Sequence, residues 1–140
     1  MRYWDTAALL RAWKEDWAPA GGMTRSHTVA EWMAIQTGRG MVYRTPQGQL
    51  VKRNLSPRDA AREIRKLVAR LTFRDLTAEE VLASTERAAR IPGIQGNSFH
   101  DFLHVCTAER HGAKSIVTLN LHDYSRMTKL PLEIPAQGMG

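Results

Sequence analysis

Short strand-like runs alternate with longer helix-like segments along this chain, and no other feature limits the fold as strongly. Arg2–Asp5 reads as a short strand, and Thr6-Ala7-Ala8-Leu9-Leu10 as the start of a helix. Thr28–Thr37 reads as a helix that stops at Gly38. Ser56-Pro57 opens another, with serine at the cap and proline at the first helical position. Ile64, Leu67, Val68 and Leu71 share one face of it. A strand near Thr72–Leu76 precedes a helix from Thr77 to about Ala89, which Pro92-Gly93 ends. A helix from Asn97 to His111, a strand at Ser115–Leu119, a short helix near Asp123 and a last strand at Leu132–Ile134 complete the order. Parallel strands need crossover connections, and those connections cover both faces of the sheet. The expectation is therefore an α/β/α sandwich, one domain over residues 1–136 with a flexible tail at 137–140. "MVYRTPQGQLVKRN" departs from the alternation: Val42-Tyr43 and Leu50-Val51 flank Pro46-Gln47-Gly48, which reads as a hairpin side arm.

A length of 140 residues suits one domain with a real core. Cys106 is the only cysteine, which excludes an internal disulfide and fits a reducing cytoplasm. No apolar run reaches the length of a signal core or membrane span, so a cytoplasmic protein without a membrane role is expected. The net charge of +6 and pI near 10.0 imply a polyanionic partner. On the helix from Ser56, Arg58, Arg62, Arg65, Lys66 and Arg70 form a basic stripe opposite the apolar face, extended by Lys52, Arg53 and Arg74. That stripe can track a phosphate backbone, face an acidic partner, or be simply a solvated helix face.

The acids are the candidate chemistry. Asp5 and Asn120 stand at carboxyl ends of strands, and Glu31 and Asp101 in the first turns of helices. The crevice beyond the carboxyl ends of strands is where open α/β sheets bind ligands. Oxygen ligands converging there would suit Mg²⁺ or Mn²⁺. Helix capping competes with this reading, because Ser/Thr-x-x-acid occurs at Thr28–Glu31 and Ser98–Asp101 as well as at Ser56–Asp59 and Thr77–Glu80. The apolar neighbours of Glu31 (Trp32, Met33, Ile35) and of Asp101 (Phe99, Phe102, Leu103) make an uncompensated charge costly and favour a site. His100 and His104 have the i, i+4 spacing of zinc proteases. Asp101 is too short to replace the glutamate base and no third ligand follows, so a zinc metalloprotease is disfavoured. His100 then reads as a rim residue and His104 as a packed core residue. The four tryptophans read as core or interface aromatics.

"YWDTAALL" at 3–10, "HTVAEWMAIQTGRG" at 27–40, "HDFLHVCTAERHGAKSIVTLN" at 100–120, "HDY" at 122–124 and a final "LPLEIP" occur in an order that resembles the PIN-domain ribonucleases. The resemblance is closest to the VapC-like toxins of bacterial toxin–antitoxin pairs and spans nearly the whole chain. It implies a PIN-like nuclease domain over 1–136 that hydrolyses RNA phosphodiester bonds with Mg²⁺ (or Mn²⁺). It also implies a cognate antitoxin protein and a homodimer. By the same resemblance Asp5, Glu31, Asp101 and Asn120 form the catalytic set, the first three holding metal and Asn120 standing where the family has a fourth acid. That amide keeps open a catalytically weakened RNA- or antitoxin-binding module. Asp123 would add charge or cap the next helix. Thr6 and Thr118 would orient the carboxylates or serve as ordinary strand and cap residues. Arg58, Arg62, Arg65, Lys66 and Arg70 are the candidates for guiding RNA.

Overall fold

The alternating pattern folds as expected, into a sheet whose pleat separates two cores. The computed structural model describes residues 1–140. In chain order its elements are β1 (Arg2–Trp4), α1 (Thr6–Lys14), β2 (Met23–Thr24), α2 (Ser26–Thr37), β3 (Met41–Arg44), β4 (Leu50–Arg53) and α3 (Pro57–Leu67). They continue with β5 (Thr72–Phe73), α4 (Ala78–Ala88), α5 (Ser98–Arg110), β6 (Ser115–Val117), α6 (Leu121–Ser125) and β7 (Leu132–Glu133). Five strands pair in the order β5-β2-β1-β6-β7, every neighbour parallel. The register Tyr3↔Ile116 and Trp4↔Val117 sends alternate side chains to opposite faces. Tyr3 and Ile116 join Phe102, Val105 and Tyr124 in one buried cluster. Trp4 and Val117 join Leu9, Trp32, Ile64 and Leu67 in the other. Each such side chain contributes ~1.5–3 kcal/mol by leaving water. The sheet is thus covered on both faces, an α/β/α sandwich.

One strand escapes the sequence pattern. β2 is two residues long, too short to carry a period, and lies between β1 and β5. Gly22 makes room for it: φ is +116° there, and a Cβ would stand 2.7 Å from the Arg2 carbonyl oxygen. Thr24 Oγ1 donates to the Trp4 carbonyl at 2.8 Å, adding a side-chain bond to the ladder. With β2 in place, α2 starts at Ser26, two residues before the expected Thr28.

The hairpin β3–β4 forms with Tyr43 opposite Val51. It is seated on the body by Trp13, whose ring meets Tyr43 edge-on at 5.5 Å and Trp32 at 5.9 Å. At the other end of the chain, where fraying is expected, the Met139 carbonyl accepts the Ala20 N–H at 2.8 Å and the Met139 side chain packs on the first core. No helix is long and apolar enough to cross a membrane.

Candidate active site at the carboxyl edge of the sheet

β1 and β6 lie side by side and end together, so the residues just beyond them meet. Asp5 follows β1 and caps α1, its Oδ1 accepting the Ala8 N–H at 2.8 Å. Its Oδ2 accepts the Thr118 hydroxyl, just beyond β6, at 2.6 Å. Asp5 is 3% exposed. Burial pushes its carboxyl above the ordinary range, against the charge of His104 and the bonds from Thr118 and Ala8.

Thr118 Oγ1 also accepts the Asn120 N–H at 3.0 Å, which fixes the turn after the strand. From that turn Asn120 Nδ2 reaches Asp101 Oδ2 at 3.4 Å. Asp101 comes from the first turn of α5, and the Tyr124 hydroxyl lies 3.4 Å from its Oδ1. Burial, then the charge of Asp5, raise the Asp101 pKa. Glu31 arrives from α2, with Oε1 accepting the Thr6 hydroxyl at 3.2 Å and lying 3.3 Å from His104 Nε2. Burial pushes the Glu31 carboxyl up, but the hydrogen bond and charge of His104, with Thr6, hold it below the usual range.

Asp5, Glu31, Asp101 and Asn120 therefore line one pocket of about 310 Å³, together with Thr6 and His104. None of the chain's ion pairs brings a lysine or arginine to Asp5, Glu31 or Asp101. The carboxylates are each turned to a neighbour, and no three of them form a preformed metal cage.

Capping does not account for Glu31 or Asp101. The N-cap of α2 is Arg25 and that of α5 is Asn97, and neither helix has a side-chain cap bond. Where capping was the complete account it is present: Ser56 accepts the Asp59 N–H, and Thr77 and Glu80 close a capping box. Asp123 is no helix cap either. The N-cap of α6 is Asn120, and Asp123 instead accepts Asn120 Nδ2 at 2.9 Å and pairs with Arg126 at 3.2 Å, outside the pocket lining. The hydroxyls of Thr6 and Thr118 do point to the carboxylates of Glu31 and Asp5.

Two neighbours of the acids went unassigned in the sequence. His104 is buried, as a packed core residue should be, but both ring nitrogens are engaged: Nδ1 lies 2.6 Å from the Tyr3 hydroxyl and Nε2 faces Glu31. With the proton on Nε2, the ring donates to Glu31 and accepts from Tyr3. Tyr124 is the other, stationed on Asp101 by the short α6. The one available signal was the i, i+3 spacing of Asp101 and His104, which shares a helix face. Zinc ligation by His100 and His104 has no geometric basis, because His100 stacks on His27 at 5.8 Å instead. Arg58, Arg62, Arg65 and Lys66 are exposed on α3, Arg70 is exposed on the turn after it because the helix ends at Leu67, and none lines the pocket.

The chain matches no family model, and no curated protein matches it. Solved structures do. A structure of VapBC-1 from nontypeable Haemophilus influenzae is similar over 96% of this chain and 98% of its own, with TM-score 0.64 and 19% identity. Mycobacterium tuberculosis VapC20, a sarcin–ricin-loop-cleaving toxin, is similar over 89% of this chain and 94% of its own, with TM-score 0.58 and 17% identity. The chain shares the PIN-domain α/β/α fold of these neighbours. In this PIN fold the pocket occupies the carboxyl edge of the parallel strands, the place where such sheets take ligands.

Proposed function

We propose that this chain is a Mg²⁺- or Mn²⁺-dependent ribonuclease and the toxin of a type II toxin–antitoxin pair, active in the cytoplasm. One observation carries the reading: three carboxylates from separate elements share a pocket that no lysine or arginine neutralises. Buried carboxylates are costly without a countercharge. The chain supplies hydroxyls, one backbone N–H, an amide and a single imidazole, too little to balance three carboxylates, so a cation from outside suits the pocket. An oxygen donor set suits a hard cation. Asp5, Glu31 and Asp101 would hold it, Glu31 and Asp101 turning from their present partners. Bound there, the ion would polarise a phosphate and lower the pKa of a water.

The protein's own groups prepare that chemistry. Thr118 and the Ala8 N–H fix both oxygens of Asp5, each of which keeps a second lone pair. His104 steadies Glu31 and is itself steadied by Tyr3. Asn120 spends its amide N–H groups on Asp101 and Asp123, leaving its carbonyl to accept and orient the attacking water. The solved structures support the reading by their fold and by what they are: one is VapBC-1 and the other a toxin that cleaves the sarcin–ricin loop. A cognate antitoxin and a homodimer belong to the same proposal.

Asn120 favours a second reading, a PIN-like module that binds RNA or antitoxin and cuts little. Cleavage of a mixed RNA pool separates the two. We expect cleavage in Mg²⁺ or Mn²⁺ that a chelator abolishes, and growth arrest on expression. Intact RNA under every divalent condition would leave only the binding module.

A further inference from the structure

One stretch of this chain carries cations with no acid among them. From Trp32 to Arg58 stand Arg39, Arg44, Lys52, Arg53 and Arg58 with no acidic residue, which carries +5 of the net +6. The remaining Lys and Arg, 15 of 20, nearly cancel the 14 acids. Most of this segment is the hairpin. Its register places Val42 beside Lys52 and Arg44 beside Leu50 on one face, and all four are exposed, Val42 by 59% and Leu50 by 66%. The opposite face, with Met41, Tyr43 and Val51, is half-buried. No carboxylate pairs with Arg44, Lys52 or Arg53, and Arg53 lies over the Trp13 ring at 5.7 Å. The α3 stripe is a weaker candidate, because Asp59 and Glu63 interrupt it.

α1 joins this arm to the acidic pocket. Ala7 and Leu10 line the pocket, and Lys14 continues the same ridge at helical spacing. Lys14 lines a second hollow with Tyr43, Pro46, Gln47 and Arg53 of the hairpin, where Asp16 and Glu63 offset the two cations. The nine residues of α1 span roughly 13 Å, so pocket and arm stand about one short helix apart.

We infer that the β3–β4 hairpin is a backbone-binding arm for single-stranded RNA, with Arg44 and Lys52 on its outer face holding phosphates one short helix from the acidic pocket. The inference rests on the ribonuclease reading for its substrate class. An acid-free run of cations on an exposed ribbon suits a polyanion, and Val42 and Leu50 give sugars and bases an apolar surface to lie on.

The test is fluorescence anisotropy of a labelled unstructured RNA oligonucleotide with the full chain. A chelator prevents cutting, and binding is followed across salt concentrations. The double variant Arg44→Gln/Lys52→Gln should bind about tenfold more weakly at low salt, and its log–log salt slope should be shallower by about 1.4, two single-strand contacts. Arg44→Lys/Lys52→Arg should keep the parent affinity, and all three proteins should melt alike, since the positions are exposed. Equal affinity and slope in the double variant would overturn the inference, as would a parent that binds no RNA. Unchanged RNA affinity with a lost dimer would overturn it too, and make the hairpin a protein interface. A parent that binds through the arm yet cuts nothing in Mn²⁺ leaves the arm standing and removes the nuclease. Cleavage by the parent with unchanged binding in the double variant does the reverse.

Discussion

The start of α4 and the start of α2 carry the same four-residue pattern and put its acid to opposite uses. In α4 the cap is Thr77, so Glu80 falls three residues in, where its carboxylate bonds back to the Thr77 N–H at 2.9 Å. In α2 the helix begins at Ser26, so Thr28 is already inside and Glu31 lies beyond the free N–H groups of the first turn. The Thr28 hydroxyl meets Thr24 Oγ1 at 2.9 Å, and Glu31 is left to Thr6 and His104. α5 repeats the lesson: Ser98 bonds the Gln95 N–H at 2.8 Å, and Asp101 faces the pocket. Glu80 is spent on its own helix, whereas Glu31 and Asp101 are stranded above the crevice; Asp5 does both, capping α1 with Oδ1 while lining the pocket.

The largest effect should come from exchanging charge at the two kinds of acid. Asp101→Asn keeps size and hydrogen bonding but removes a ligand charge. RNA cleavage should fall roughly a hundredfold or more per folded molecule in single-turnover assays. Glu80→Gln, at the capping box, should cut at the parent rate and melt slightly lower. If Asp101→Asn cuts as fast as the parent, the contrast between the two helices fails.

Stability should separate the regions next. Burial raises the pKa values of Asp5 and Asp101 in the folded state. The folded chain then holds their protons more tightly than the unfolded one. Stability from these groups falls as pH rises from the ordinary aspartate range, about 3.9, through the raised values, and the full penalty remains above them. Glu31, lowered, acts in the other sense: its contribution is present above the usual glutamate range and is lost as pH falls through its folded value. Without divalent ions, Asp101→Asn should therefore melt above the parent at neutral pH, the gap closing on acidification. Mn²⁺ at a hundred times its Kd should stabilise the parent by about 2.7 kcal/mol and the variant far less. A melting curve that only Zn²⁺ moved would remove the oxygen-ligand site.

How far the sequence could be read follows the length of each signal. Ser56-Pro57, the Ile64/Leu67 face and the placement of Asp5 and Asn120 beyond β1 and β6 were legible, because caps, helical period and strand ends are local. The two-residue β2 carries no period, and its placement turns on Gly22 lying against Arg2. That unseen strand moved the start of α2, which is why capping competed with a site for Glu31 in the sequence and only its apolar neighbours tipped the reading. His104 was legible as buried but not as a bridge, since Tyr3 lies 101 residues away from it. His104→Gln should therefore act through Glu31. It strands a buried hydroxyl, costing ~1–3 kcal/mol, and should slow cleavage about tenfold, both read from denaturation and single-turnover rates. Full cleavage per folded molecule would return His104 to simple packing.

The smallest effect should belong to Asp123. It pairs with an exposed Arg126 and accepts one N–H of Asn120, and its side chain is 40% exposed. An exposed ion pair three residues apart contributes little, and Asp123 stands outside the pocket lining. Asp123→Ala should thus leave the fold intact and slow cleavage no more than a few-fold, through a looser Asn120. Asn120→Asp probes the same corner from inside: it sets a fourth carboxylate beside Asp101, so Mn²⁺ should raise its melting temperature at a lower concentration than the parent needs. Should Asp123→Ala lose as much cleavage as Asp101→Asn, the fourth position of the site would pass from Asn120 to Asp123, and α6 would join the helices whose acids are free for a ligand.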